Sequence, residues 1–206
     1  MLRLTRDRLD GGSRAALPAT NRVLYLLNGA LTVDGKDVSV NSAWHGTGAC
    51  AAVAGPGGAT VLRFELVSKD RPAPGKPLLA HDIALDPSKP YLMRCDRVDF
   101  DPGAEALPHR HKGGGIRCLV QGTMALCVQG EPDRVIRPDQ AWFESGREPV
   151  YARASATEPT SFIRCCILPR EIRGQSSIIY VDPKDAGSKP RKYTVFVDEP
   201  IELPTS

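Results

Sequence analysis

The chain has 206 residues, 41% of them hydrophobic and 25% charged, with a formal net charge of +3. A small charge with no Lys/Arg block excludes nucleic acid as the expected partner, and no apolar run is long enough to span a bilayer, which excludes a membrane role. With 18 Pro and 19 Gly, the punctuation favours many short strands and turns over long helices.

The first residues lack the apolar stretch of a secretory signal, so a cytoplasmic location is expected. The six cysteines have no CxxC spacing and mostly sit in apolar runs, which reads as free buried thiols. Residues 1–20 are weakly patterned, with a turn at Gly11-Gly12-Ser13. Residues 22–29 read as a strand closed by Asn28-Gly29. Ala30-Leu31-Thr32-Val33 then runs into Asp34-Gly35, a pair that supplies the positive φ of a tight hairpin. Residues 60–66 alternate apolar and charged side chains, as a half-buried strand does.

A Pro-rich linker is expected at 72–78, dividing an N-terminal unit at 1–71 from a second unit at 79–175. Residues 176–206 then supply C-terminal strands that pack on a barrel or across a dimer. The second half echoes the first. Residues 116–122 match 23–29, and 162–168 match 61–66. Residues 139–146 match 41–48 through an Ala-Trp pair with a glycine four residues after the Trp. Three correspondences in one order argue for a duplicated unit.

The stretch that carries chemistry is Pro102-Gly103-Ala104-Glu105-Ala106-Leu107-Pro108-His109-Arg110-His111-Lys112, followed by Gly113-Gly114-Gly115 and an apolar run to Gly122. On a strand, alternate side chains share a face, so His109 and His111 point the same way while Arg110 and Lys112 point away. Two imidazoles on one face are half of a metal site. The glycines suit a tight turn, and no Gly-Lys-Ser/Thr helix follows to make a phosphate loop. Arg117 shares a face with Gly115, Leu119 and Gln121. If that face is interior, its guanidinium needs an anionic partner, either Glu144 or a substrate carboxylate or phosphate. His45 and His81 receive no role.

The Pro-Gly, the His-x-His pair, the turn, the strand and the closing Gly122 together resemble the first signature of the cupin superfamily. The resemblance implies an all-β fold of two jelly-roll (double-stranded β-helix) barrels in tandem, a bicupin. Counted from Gly29, the first unit's His-x-His positions hold Ala16 and Pro18, so that unit is read as lacking metal residues. The resemblance further implies one divalent metal ion (Fe, Mn, Ni or Zn) on His109 and His111. The family's acid position falls on Gly115 and its third-His position near Pro149. Glu144, preferred over Glu148, is the replacement ligand or general base, with a salt bridge to Arg117 as the competing reading. Arg117 is the substrate anchor, and Trp142, Phe143 and Tyr151 line the cavity. The expected function is metal-dependent chemistry, oxygenase-like or Lewis-acid, on a small anionic organic molecule. The alternative is non-enzymatic binding or sensing of such a ligand. A homodimer is expected.

Overall fold

The computed structural model describes residues 1–72, 75–188 and 191–203. These form seventeen strands and two 3-10 turns, at Arg170–Ile172 and Pro183–Gly187. No helix among them is long and apolar enough to cross a membrane. All six cysteines are free, five of them buried and Cys127 half-buried. The chain divides into two compact units, Met1–Ser88 with the segment from Pro200 onward, and Lys89–Glu199.

The first unit contains β1 (Leu2–Leu9), β2 (Arg14–Leu17), β3 (Asn21–Val33), β4 (Lys36–Val38), β5 (Ala43–Gly46), β6 (Cys50–Leu66) and β7 (Leu79–His81). Its sheet runs β4-β3-β6-β1-β7, with β2 also on β6 and β5 also on β3. The weakly patterned N-terminus is in fact β1. Leu2 and Leu4 are fully buried on one face, and the intervening Arg3 and Thr5 are buried on the other. The boundary between units also lies later than 72–78. β7 pairs with β1, Leu2 facing His81 and Leu4 facing Leu79, which ties residues 79–88 to the first unit. Ala73 and Pro74 of the expected linker lie outside the described residues.

The alternation over 60–66 does not mark a half-buried strand. Arg63 and Glu65 are 1% and 2% exposed, as buried as their apolar neighbours. Glu65 accepts from Arg63 Nη1 at 2.6 Å, Arg3 Nη2 at 2.8 Å and Arg22 Nε at 2.9 Å. Arg63 also forks onto Asp7 at 2.6 and 3.0 Å. Charges this deep persist because each carboxylate meets guanidinium donors and none is left unpaired.

The second unit contains β8 (Tyr91–Phe100), β9 (Glu105–His111), β10 (Gly115–Gln121), β11 (Met124–Val128), β12 (Arg134–Ile136), β13 (Ala141–Glu144), β14 (Val150–Ala154), β15 (Thr160–Pro169), β16 (Ile178–Tyr180) and β17 (Arg191–Ile201). Two five-stranded antiparallel sheets, β13-β10-β15-β8-β17 and β12-β11-β14-β9-β16, make a jelly roll. Their inward side chains, among them Val98, Phe100, Leu119, Leu126, Trp142 and Phe162, form one apolar cluster. β16 and β17 each end one of these sheets, so the C-terminal strands as far as Glu199 belong to the second unit's own architecture.

The stretches that match in sequence occupy matching rows. In the first unit, Thr5, Arg63, Leu24 and Trp44 lie side by side across β1, β6, β3 and β5. In the second, Asp96, Arg164, Arg117 and Trp142 lie side by side across β8, β15, β10 and β13. Gly29 and Gly122 both take positive φ, 85° and 73°, as do Asn41 and Asp139, 58° and 71°. Such angles are easy for glycine and tolerated by Asn and Asp.

Candidate functional site

Both sheets of the second unit contribute to one interior cavity of about 20 Å³. From one sheet come the histidines. Val150 faces His109 and Ala152 faces Ala106, so β9 carries one residue more than β14 between these pairs. This bulge contains Pro108, which has no N–H to offer a ladder. It puts Ala106 and His109 on the same inward face. It also brings the Leu107 carbonyl to 2.7 Å from Nδ1 of His109. Only an N–H can face a carbonyl oxygen at that distance, so Nδ1 carries the proton and Nε2 keeps a lone pair. The His109 and His111 rings stand edge to face, centroids 4.8 Å apart. Burial strips both rings of water and lowers their pKa values, to about 4 for His109 and about 3 for His111.

From the other sheet come Arg117, Trp142 and Glu144. The register of β10 on β13 sets Gly115 opposite Glu144 and Arg117 opposite Trp142. Trp142 Nε1 donates to Glu144 Oε1 at 2.8 Å. Arg117 Nη2 lies 2.7 Å from Glu144 Oε2, and His111 Nε2 lies 3.2 Å from the same oxygen. The first is an ion pair and the second a contact between a neutral imidazole and a carboxylate, and both lie outside hydrogen-bond alignment. Burial alone would raise the Glu144 pKa. Arg117, His111 and Trp142 outweigh it and hold the carboxyl well below the usual range. Arg117 also donates through Nη1 to the Gly115 carbonyl at 2.6 Å.

His109, His111, Arg117, Trp142 and Glu144 therefore meet in one place, as their sequence positions suggested. Phe143 and Tyr151 do not line the cavity. Each alternates with inward neighbours, Phe143 between Trp142 and Glu144 and Tyr151 between Val150 and Ala152, and strand parity sends them outward. Glu148 is also outside, accepting from the Ser145 hydroxyl at the exposed turn. Arg117 is not free to anchor a substrate, because Glu144 and the Gly115 carbonyl already occupy it.

Two lining cations escaped the sequence reading. Arg164 forks onto Asp96 at 2.7 and 3.0 Å, and its signal was a lone charge inside the apolar run 162–168. Arg191 opens β17, and nothing in its local sequence marks it.

The donors do not fit a resident divalent metal as arranged. Among the described residues no three His, Cys, Asp or Glu side chains form a group able to hold one. Arg117 brings a cation to the carboxylate that would complete the set. A ligating imidazole usually donates its second N–H to an acceptor, and Nδ1 of His111 is buried with no hydrogen-bond partner. Nor can the acid be returned to position 115. A Cβ there would lie 2.5 Å from the Cys165 carbonyl oxygen and 2.5 Å from Cys166 Sγ. Gly115→Ala is expected to destabilise the protein by about 2 kcal/mol, because β10 must move away from β15. Urea unfolding measures it, and a change below about 0.5 kcal/mol would contradict the close approach.

Two antiparallel sheets closed on a charged interior define the second unit as a jelly-roll barrel. The solved structures similar to this chain carry that class further. A deletion mutant of Bacillus subtilis oxalate decarboxylase OxdC matches with TM-score 0.66 at 12% identity, over 91% of this chain and 73% of that one. AerE from Microcystis aeruginosa matches with TM-score 0.63 at 10% identity, over 81% and 88%. A cupin 2 conserved barrel domain protein from Leptotrichia buccalis matches with TM-score 0.50 at 14% identity, over 80% and 88%. At these identities the likeness shows the fold alone, a jelly roll. No protein-family model and no curated protein sequence matches the chain.

Proposed function

We propose that this chain is a bicupin whose second barrel binds a small anionic organic molecule without a resident metal, and whose first barrel is structural. The observation that carries this reading is a charge count. Three guanidinium groups, of Arg117, Arg164 and Arg191, line the second-unit cavity. Glu144 and Asp96 neutralise the first two. Both imidazoles are neutral near pH 7. The positive charge left over is that of Arg191, half-buried as a residue but with both terminal nitrogens buried, where an unpaired charge is costly and a bound anion removes that cost. In the first barrel the corresponding space is taken up by Arg3, Arg22 and Arg63 on Glu65, which supports a structural role there. A homodimer and a cytoplasmic location belong to the same proposal.

A second reading keeps a divalent ion on His109 and His111 and makes the protein an enzyme. The observation on its side is the paired imidazoles, with His109 fixed through Nδ1 as a ligating ring is. One experiment separates the two. The purified protein is incubated in turn with Fe, Mn, Ni and Zn, dialysed, and assayed for metal alongside His109→Ala. We expect well under one ion per chain and the same content in both. A stoichiometric ion that His109→Ala loses would establish the second reading instead. In parallel, small carboxylates and phosphate in EDTA are expected to raise the melting temperature by a few degrees at saturating concentration.

A further inference from the structure

Arg191, half-buried itself, differs from the buried arginines of the second unit. Arg94 is spent on Asp198, Arg117 on Glu144 and Arg164 on Asp96. Nη1 and Nη2 of Arg191 are buried and have no hydrogen-bond partner among the described residues. The side chain is nonetheless held. Its Nε donates to the Tyr193 hydroxyl, and its guanidinium lies 5.6 Å from the centroid of that ring. Arg164 lies 5.5 Å from the same centroid, so Tyr193 is itself pinned. The arrangement orients Arg191 and leaves unspent the two terminal nitrogens that form a planar fork for a carboxylate.

Its position adds a size and a polarity. Arg191 lines the inner cavity of about 20 Å³, and it also lines an outer pocket of about 530 Å³ together with Arg97, Asp99, Asp101, Gln121, Ser161 and Lys192. It stands at the neck between them, with Phe100 beside it. The inner space admits a group no larger than a water. His109 lines that space, and its tautomer leaves Nε2 as an acceptor. The group that fits is therefore a small donor, a hydroxyl. The outer pocket is polar and accepts a hydroxylated remainder.

We propose that Arg191 grips the carboxylate of a small hydroxy acid at this neck, with the ligand's hydroxyl entering the inner cavity and donating to Nε2 of His109. The inference rests on the anion-binding reading and names its ligand class.

Calorimetric titration of the full chain in EDTA tests this with four probes: glycolate, glycerate, acetate and glycolamide. We expect glycolate and glycerate to bind the wild type. Acetate lacks the hydroxyl and glycolamide lacks the charge, and each is expected to bind at least about tenfold more weakly. Arg191→Met is expected to weaken glycolate binding by about ten- to a hundredfold, with Arg191→Lys in between. Glycolate binding to Arg191→Met within twofold of wild type would overturn the assignment of Arg191 and leave the anion-binding reading standing. Glycolamide binding to the wild type as tightly as glycolate, a comparison in which folding of a variant is not at issue, would overturn both, because the ligand's charge would then contribute nothing. Failure of all three carboxylates to bind the wild type would overturn the anion-binding reading itself.

Discussion

Glu144→Ala is expected to lower the unfolding free energy of the second unit by about 4 kcal/mol. The substitution removes the partner of Arg117, whose side chain is only 1% exposed and cannot turn to water. It also strands the indole N–H of Trp142 and the Nε2 of His111. Breaking a buried pair costs more than the pair contributes, because an uncompensated charge remains. Removing both charges is therefore expected to be milder. Arg117→Met combined with Glu144→Met should recover at least half of the loss, since aliphatic side chains of similar volume avoid the desolvation cost. Urea unfolding followed by Trp142 fluorescence, in a Trp44→Phe background, reports on this unit alone. If Glu144→Ala costs under about 1 kcal/mol, the carboxylate is not the counter-charge of Arg117.

The second large effect is acid lability. His109 and His111 titrate near 6.5 when unfolded, but burial holds them at about 4 and about 3 in the folded chain. Between those values the unfolded chain binds more protons, so stability falls as pH falls. The limiting slope is two protons, each about 1.4 kcal/mol per pH unit. Glu144 acts in the same direction. Its folded pKa is depressed, so the stability it adds above its unfolded value of 4.5 is lost as pH falls below that value. The unfolding free energy of the second unit is thus expected to be flat above pH 7 and to drop steeply from about pH 6 to 4. The double variant His109→Gln, His111→Gln should flatten the drop between pH 6 and 5, where only the histidines act. An unchanged slope in that variant would mean that the two rings are protonated in the folded state.

Much of the candidate site was legible in local pattern. The His-x-His spacing, the Ala-Trp pair of the repeat and the lone Arg117 in an apolar strand each carry a period-2 signal. Period 2 fixes which side chains share a face within one strand. It also puts Phe143 and Tyr151 outside the cavity, because adjacency on a strand means opposite faces. Alternating charge over 60–66 is the pattern of a half-buried strand, yet Arg63 and Glu65 are buried. Here β6 is covered on both sides, and the charges survive by pairing with Arg3, Arg22 and Asp7 from other strands.

By itself the sequence determined the all-β class and the pair of imidazoles on one face, since turn residues and alternation act over a few neighbouring positions. Only the tertiary structure decided what those imidazoles meet. Glu144 reaches His111 from the opposite sheet, Arg117 claims that carboxylate, and Arg191 arrives from the last strand, eighty residues after His111. Such pairings depend on register and on how two sheets close over one interior, and a local pattern of residues does not encode which distant charge is left without a partner.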